Sequence, residues 1–328
     1  MIAKKSNAAV KSVEYISEKT VVPEKYKYNF SEKLSEMKKS KFVYLLLLPS
    51  VLLVIFFSYL PMWGVRIAFL DYDIYNPDRS AFVGLKNFFD ILQMGDTKSA
   101  IINTFYISIL SLITVFPMTV LFAILLNELK NGLFKRTVQT ISYLPYFLSW
   151  ISVIGIITSL YAQDGIINDL IVKLTGDPTR TLFLAKQGFF VPNVIILSIW
   201  KELGWGAVVF LAAITGVDDS LYEAAYIDGA GRLKQTWHIT LPAILPTIMI
   251  MLIWKMGSLF TNNFELIYGL QNPFINFEVI QTIIYKQGIE GGNYSLTTAF
   301  GLFQGVVNLA ILLGANYLSK KFTEISVV

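Results

Sequence analysis

Hydrophobic positions in this chain come in long unbroken blocks rather than in alternation. Six windows are almost free of charge: 42–63, 101–126, 138–161, 191–214, 242–263 and 296–318. Each is near the roughly 20 residues that a helix needs to cross the hydrocarbon core of a bilayer. The pattern therefore predicts six membrane spans. Pro49, Pro117 and Pro246 fall inside or near the starts of these windows. Such prolines are tolerated where neighbouring helices satisfy the freed backbone groups, which points to a packed bundle rather than lone anchors. Between the blocks, residues 165–176 read as a short surface helix. Ahead of the first block, Tyr26, Phe30, Leu34 and Met37 recur at helical spacing. They fit an interfacial amphipathic helix, with a solvated tail as the open alternative before Pro23.

Composition agrees with a polytopic membrane protein. Of 328 residues, 54% are hydrophobic and 15% charged, against about 25% charged in a soluble domain. With no cysteine and one histidine, disulfides, thiolate sites and His-based metal clusters are excluded. The first twenty residues hold no apolar run, so the first span is read as an uncleaved anchor. Segments 1–41, 127–137, 215–241 and 319–328 carry 17 of the 27 Lys and Arg residues. That excess assigns both termini to the cytosol. The net charge of +4 is attributed to topology, and no nucleic-acid partner is expected. The expected division is a lysine-rich tail at 1–41, the first span and an outer loop at 42–96, a five-helix core at 97–319 and a cytosolic tail at 320–328. On this assignment the polar loop 217–242 inside the core is cytosolic.

That loop carries local signals. Asp218, Asp219 and Ser220 offer N-cap oxygens, and Ser220 with Glu223 has capping-box spacing. A helix over Leu221–Ile227 follows, with Ala224 and Ala225 leaving its surface shallow. Asp228-Gly229-Ala230-Gly231 breaks it. Arg232 to His238 start a second helix, and Pro242 is placed at the beginning of the next span, where proline is tolerated. His238 reads as a packing or interface residue. Taken singly, a cap, a turn and helix propensity explain each position.

Taken together, they resemble a family. Glu223-Ala224-Ala225, Gly229, Ile239 and Leu241-Pro242, with Asp228 and Ala230, stand at the spacing of the EAA loop of binding-protein-dependent ABC import permeases. The resemblance implies an all-α integral membrane protein of six transmembrane helices, the type I importer transmembrane subunit, in a bacterial cytoplasmic membrane. It implies four kinds of partner: a second homologous permease subunit, two cytosolic ATPases, an extracytoplasmic solute-binding protein and, in the branch it resembles most, an oligosaccharide or polysaccharide fragment. Glu223 would contact the ATPase and Gly229 would let the coupling helix turn. The chain has no G-x-x-x-x-G-K-[ST] phosphate loop. It is thus expected to be no enzyme and to hold no cofactor, with ATP and Mg bound by the partner ATPase.

Polar residues inside apolar windows mark the candidate solute path: Lys201, Glu202 and Trp205 in the fourth, Lys255, Asn262 and Asn263 with Glu265 at the end of the fifth, and Gln304 and Asn308 in the sixth. Intramembrane charges are costly and suggest function or pairing. A structural ion pair between Glu202 and Lys255 is the bland alternative, as is interhelical hydrogen bonding for Gln304 and Asn308. Lys201 and Lys255 would also suit an acidic sugar, such as a uronate-containing fragment. The competing class is an ion-coupled secondary transporter, which usually shows inverted repeats and broken helices around a midplane site.

Overall fold

The computed structural model describes residues 39–261 and 263–323. The amphipathic pattern at 26–37, residue Asn262 and most of the tail 320–328 lie outside the described residues. The chain divides into two units, one up to Gly64 and one from Val65 on. The first contains helix α1 (Lys41–Val54) and a π turn at Ile55–Tyr59, and a 3-10 stretch from Leu60 runs past its boundary to Phe69. These 29 residues are long and apolar enough to cross a membrane.

The second unit opens on a two-stranded hairpin, β1 (Leu70–Asp71) against β2 (Ala81–Phe82), with Leu70 opposite Phe82. The sequence gives no sign of it beyond the turn at Asn76-Pro77-Asp78. Asn87, in α2 (Lys86–Gln93), locks it by donating to the carbonyls of Ala68 and Leu70, both at 2.9 Å. The long helices follow: α3 (Gly95–Glu128), α4 (Leu133–Tyr143), α5 (Trp150–Leu160), surface helix α6 (Ile166–Thr175) and α7 (Gln187–Thr215). After them come α8 (Asp219–Ile227), α9 (Arg232–Gly257), α10 (Phe264–Leu270), α11 (Ile280–Tyr285) and α12 (Tyr294–Thr323).

Five described helices are long and apolar enough to span a membrane, or six if the bent pair α4 and α5 counts as one. That pair corrects the expected third span. Residues 133–160 are not one helix: a 3-10 turn at Leu144–Phe147 and two extended residues separate two arms that meet at 101°. Pro145 cannot donate into a helical ladder, and Ser149 caps the second arm by accepting from Ser152 N at 3.1 Å.

The expected fifth span, 242–263, is also displaced. Its helix starts at Arg232, so the second loop helix and the span are one element. A π turn at Thr236–Thr240 widens the helix just before Pro242, so the missing N–H and the ring are accommodated. Pro242 therefore lies inside α9 rather than at its start. At the other end the helix stops at Gly257, and residues 258–261 and 263 are non-helical turns.

Three apolar clusters hold the second unit together. One gathers Phe190, Val194, Leu266, Ile267 and Phe277; another gathers Ala100, Ile280, Ala299 and Phe300. The third joins Val120, Ala123, Phe210 and Ile244, where Phe116 meets Phe210 edge to face at 5.8 Å. Lipid tails are as apolar as these side chains, so close packing rather than water expulsion holds the helices. Gly206 serves that purpose: α7 approaches α3 so closely that a Cβ there would lie 2.7 Å from Thr119 Cγ2.

Candidate functional site: a fastened loop and two broken helices

Helix α8 is built from its ends inward. Its N-cap is Asp218, whose Oδ1 accepts from Ser220 N at 2.9 Å. This corrects the capping box expected between Ser220 and Glu223: the cap sits two residues earlier, and Glu223 is left exposed. Ser220 also holds the Asp218 carboxyl below the usual carboxylate range, through its backbone N–H first. At the C-terminus Gly229 has φ +75°. Ala230 N donates to Ala225 O at 2.9 Å and Gly229 N to Tyr226 O at 3.0 Å. This is a Schellman motif, in which a left-handed residue closes the helix and satisfies its last carbonyls. Asp228, Gly229 and Ala230 are thus its Ccap, C′ and C″ residues.

The loop is tied to the bundle at two points. Tyr222 Oη and Thr240 Oγ1 lie 2.9 Å apart, joining α8 to α9. Arg232 reaches Glu128 at the end of α3, at 3.3 Å. Leu241 is half-buried beside them and Pro242 is exposed. Between these ties lies a polar cavity of about 620 Å³, lined by Lys130, Lys135, Asp219, Tyr222, Glu223 and Gln235 among others. Outside it, α8 exposes Leu221, Tyr226 and Ile227 to solvent, Ile227 by 84%. Large apolar side chains grouped on a polar loop mark an interaction surface.

The polar residues of the spans meet at the two breaks. On α7, Lys201, Gly204 and Trp205 share one face at helical spacing, and this face receives the bent pair. Lys201 is 8% exposed. Its Nζ donates to Leu148 O, the carbonyl set free at the bend, and sits 4.7 Å from the Trp150 ring centre. Gly204 lets the Ser142 carbonyl rest on α7. Trp205 stacks on Tyr146 at 5.0 Å and meets Phe147 edge-on at 5.6 Å. Glu202, one residue along, pairs with Lys255 of α9 at 2.7 Å.

The second break is held in the same way. Gln304 of α12 donates to Phe260 O and accepts from Gln281 at 2.9 Å. Asn308 accepts from Phe260 N at 3.3 Å, and Ser108 of α3 donates to Leu259 O at 2.5 Å. Backbone freed from a helix inside a membrane must find partners within the protein, and these side chains supply them. Asn263, at φ +67°, stands at the N-cap position of α10 without a side-chain capping bond. With Lys255, Ser108 and Ser111 it lines a cavity of about 20 Å³, room for one water. Glu265 is exposed in the first turn of α10. Pairing and bracing therefore account for Lys201, Glu202, Lys255, Gln304 and Asn308. Pairing of Glu202 with Lys255 and hydrogen bonding by Gln304 and Asn308 were both legible as alternatives. The bracing of a backbone carbonyl by Lys201 was not.

A bundle of apolar spans with braced breaks and an exposed, internally fastened polar loop defines a polytopic transport subunit. The chain belongs to the family of binding-protein-dependent transport system inner membrane components, whose sequence profile matches residues 115–324. It is 42% identical over 295 residues to protein LplB of Bacillus subtilis (strain 168), covering 89% of this chain and 92% of that one. It is 41% identical over 295 residues to the polygalacturonan/rhamnogalacturonan transport system permease protein YteP of the same organism, covering 89% and 91%. Among solved structures it superposes with a TM-score of 0.81 and 35% identity on a chain of a bacterial alginate ABC transporter in complex with an alginate pentasaccharide-bound periplasmic protein, covering 89% and 99%.

Proposed function

We propose that this chain is one permease subunit of an ATP-driven importer of oligosaccharides in a bacterial cytoplasmic membrane, with both termini cytosolic. The observation that carries the coupling part is α8, a short helix capped at both ends that exposes Glu223 beside Leu221, Tyr226 and Ile227. Such a surface suits a cleft on a cytosolic ATPase, with Glu223 in a charge-assisted hydrogen bond. The carbohydrate part is supported by the relatives, two of which carry a polysaccharide in their names. A second permease chain completes the path, and a solute-binding protein delivers cargo on the opposite face. ATP and Mg bind to the partner ATPase, and this chain needs no cofactor. An ion-coupled carrier acting alone is the competing class. The two are separated by co-purification of the tagged chain from its host, followed by uptake in proteoliposomes. A complex with an ATPase and uptake that requires internal ATP support the importer; uptake by this chain alone without ATP sinks it.

Recognition of an acidic sugar by Lys201 and Lys255 does not follow, because both cations already have partners in the chain. Lys201→Met is expected to act on stability instead. It leaves Leu148 O without its donor, which costs about 1–3 kcal/mol. The unfolding midpoint of the detergent-solubilised chain should fall by roughly 3–8 °C. The ratio of trigalacturonate to galactotriose uptake should stay where it was. A changed ratio with an unchanged midpoint would return Lys201 to the solute path.

A further inference from the structure

Immediately beyond the second break, three aromatic rings gather on one face. Phe264 and Tyr268, one turn apart on α10, stack at 5.6 Å with planes 23° apart. Tyr285, at the end of α11, meets Tyr268 at 4.8 Å and Phe264 at 5.4 Å. The opposite face of α10 buries Leu266, Ile267 and Leu270, so the rings are turned outward from the core. All three are half-buried. At their edge Tyr268 Oη donates to Glu290 Oε1 at 2.7 Å, in the π turn Lys286–Glu290 that follows α11. That bond is the main reason the Tyr268 hydroxyl is pushed up to about 12. It also fixes the ring, since a hydroxyl held by a carboxylate cannot swing away.

Two features tell what the face meets. Glu265 and Glu290 on it are exposed carboxylates, which acyl chains do not accommodate. The face therefore looks onto water or protein rather than lipid. It also adjoins the second break, because Asn263, the residue before Phe264, lines the small cavity shared with Lys255. An array of rings with a fixed hydroxyl and a carboxylate rim matches a sugar ring. The C–H face of a pyranose lies on an aromatic plane, and its equatorial hydroxyls donate to acceptors at the edge.

We propose that Phe264, Tyr268 and Tyr285 form a stacking station for one pyranose ring of the cargo, with Glu290 as hydroxyl acceptor at its rim. This rests on the importer reading above and adds a place where the chain itself handles the sugar.

The test uses the complete importer in proteoliposomes, with its binding protein and tritiated cellotriose, xylotriose, galactotriose and trigalacturonate as probes. For whichever probes the wild type transports, Tyr268→Ala and Tyr285→Ala are expected to raise KM by roughly tenfold. Tyr268→Phe keeps the stacking plane and should stay within about threefold of wild type. ATPase activity without sugar-loaded binding protein should be unchanged in all variants. Alanine variants that transport like wild type overturn the station. So do variants that lose the second permease chain on gel filtration, since the face would then be a subunit interface. A wild-type importer that takes up none of the probes strikes the carbohydrate reading first, and the station falls with it.

Discussion

Gly204→Ala is expected to unseat the bent pair α4 and α5 from α7. A Cβ at this position would fall inside the carbonyl of Ser142 and 2.9 Å from Tyr143 N. All of these are backbone atoms, so no rotamer change relieves the clash, and one helix must move. Overpacking of this kind costs about 1–3 kcal/mol and more where backbone is involved. The movement would also draw Leu148 O away from Lys201 and Tyr146 off Trp205, so the losses compound. The measurement is the yield and unfolding midpoint of the purified chain in detergent, beside Gly206→Ala. That second Cβ meets the end of the Thr119 side chain at 2.7 Å, which can rotate aside. Gly204→Ala should lower the midpoint by roughly 5 °C or more, and Gly206→Ala by clearly less. Equal effects would mean that the bend does not depend on this approach.

The second large effect is expected at Gly229. Its φ is +75°, and a Cβ added there would meet nothing within 4 Å, so substitution brings strain rather than a clash. A non-glycine residue in the left-handed region costs about 1–2 kcal/mol, and a β-branched one is an outlier in that region. Gly229→Val would open the Schellman motif, freeing Ala225 O and Tyr226 O and rotating α8 against α9. ATP-driven uptake should fall by roughly tenfold or more, while insertion and the amount of folded chain stay near wild type because the loop lies outside the apolar clusters. Gly229→Asn should recover much of the activity, since asparagine tolerates this conformation. If the asparagine variant is as inactive as the valine one, the loop requires the absence of a side chain and not the turn.

Much of the fold was legible because it is written locally. The apolar blocks at 101–126, 191–214 and 296–318 became α3, α7 and α12 with a few more residues at each end. The EAA spacing led to the family that the sequence profile also identifies. The breaks were less legible. Residues 138–161 carry no charge, and the presence of Pro145 does not by itself tell a kink from a 101° bend. The bend depends on Lys201 and Gly204, some fifty residues away in sequence. Likewise the end of α9 at Gly257 depends on Ser108, Gln304 and Asn308, which take up the groups of Leu259 and Phe260. Polar residues in an apolar window announced that something was there to be satisfied. Which of them faced a solute and which faced the chain's own backbone is a matter of tertiary placement. The aromatic face had half a signature: Phe264 and Tyr268 are visibly one turn apart, but Tyr285 joins them only through folding.

The merging of the second loop helix with the fifth span has a mechanical meaning. From Arg232 to Gly257 the 26 residues of α9 form a lever about 39 Å long at 1.5 Å per residue. Tyr222 and Thr240 pin α8 to it near one end, which acts as the short arm. Lys255 and its partner Glu202 sit at the other end, one turn before the stiffness stops. Under the coupling proposed above, a small tilt imposed at the loop would be magnified along the long arm and released where the chain changes from rod to joint, at Leu259 and Phe260. The gearing of this subunit would then be set by where along α9 its pin, Tyr222 on Thr240, is placed.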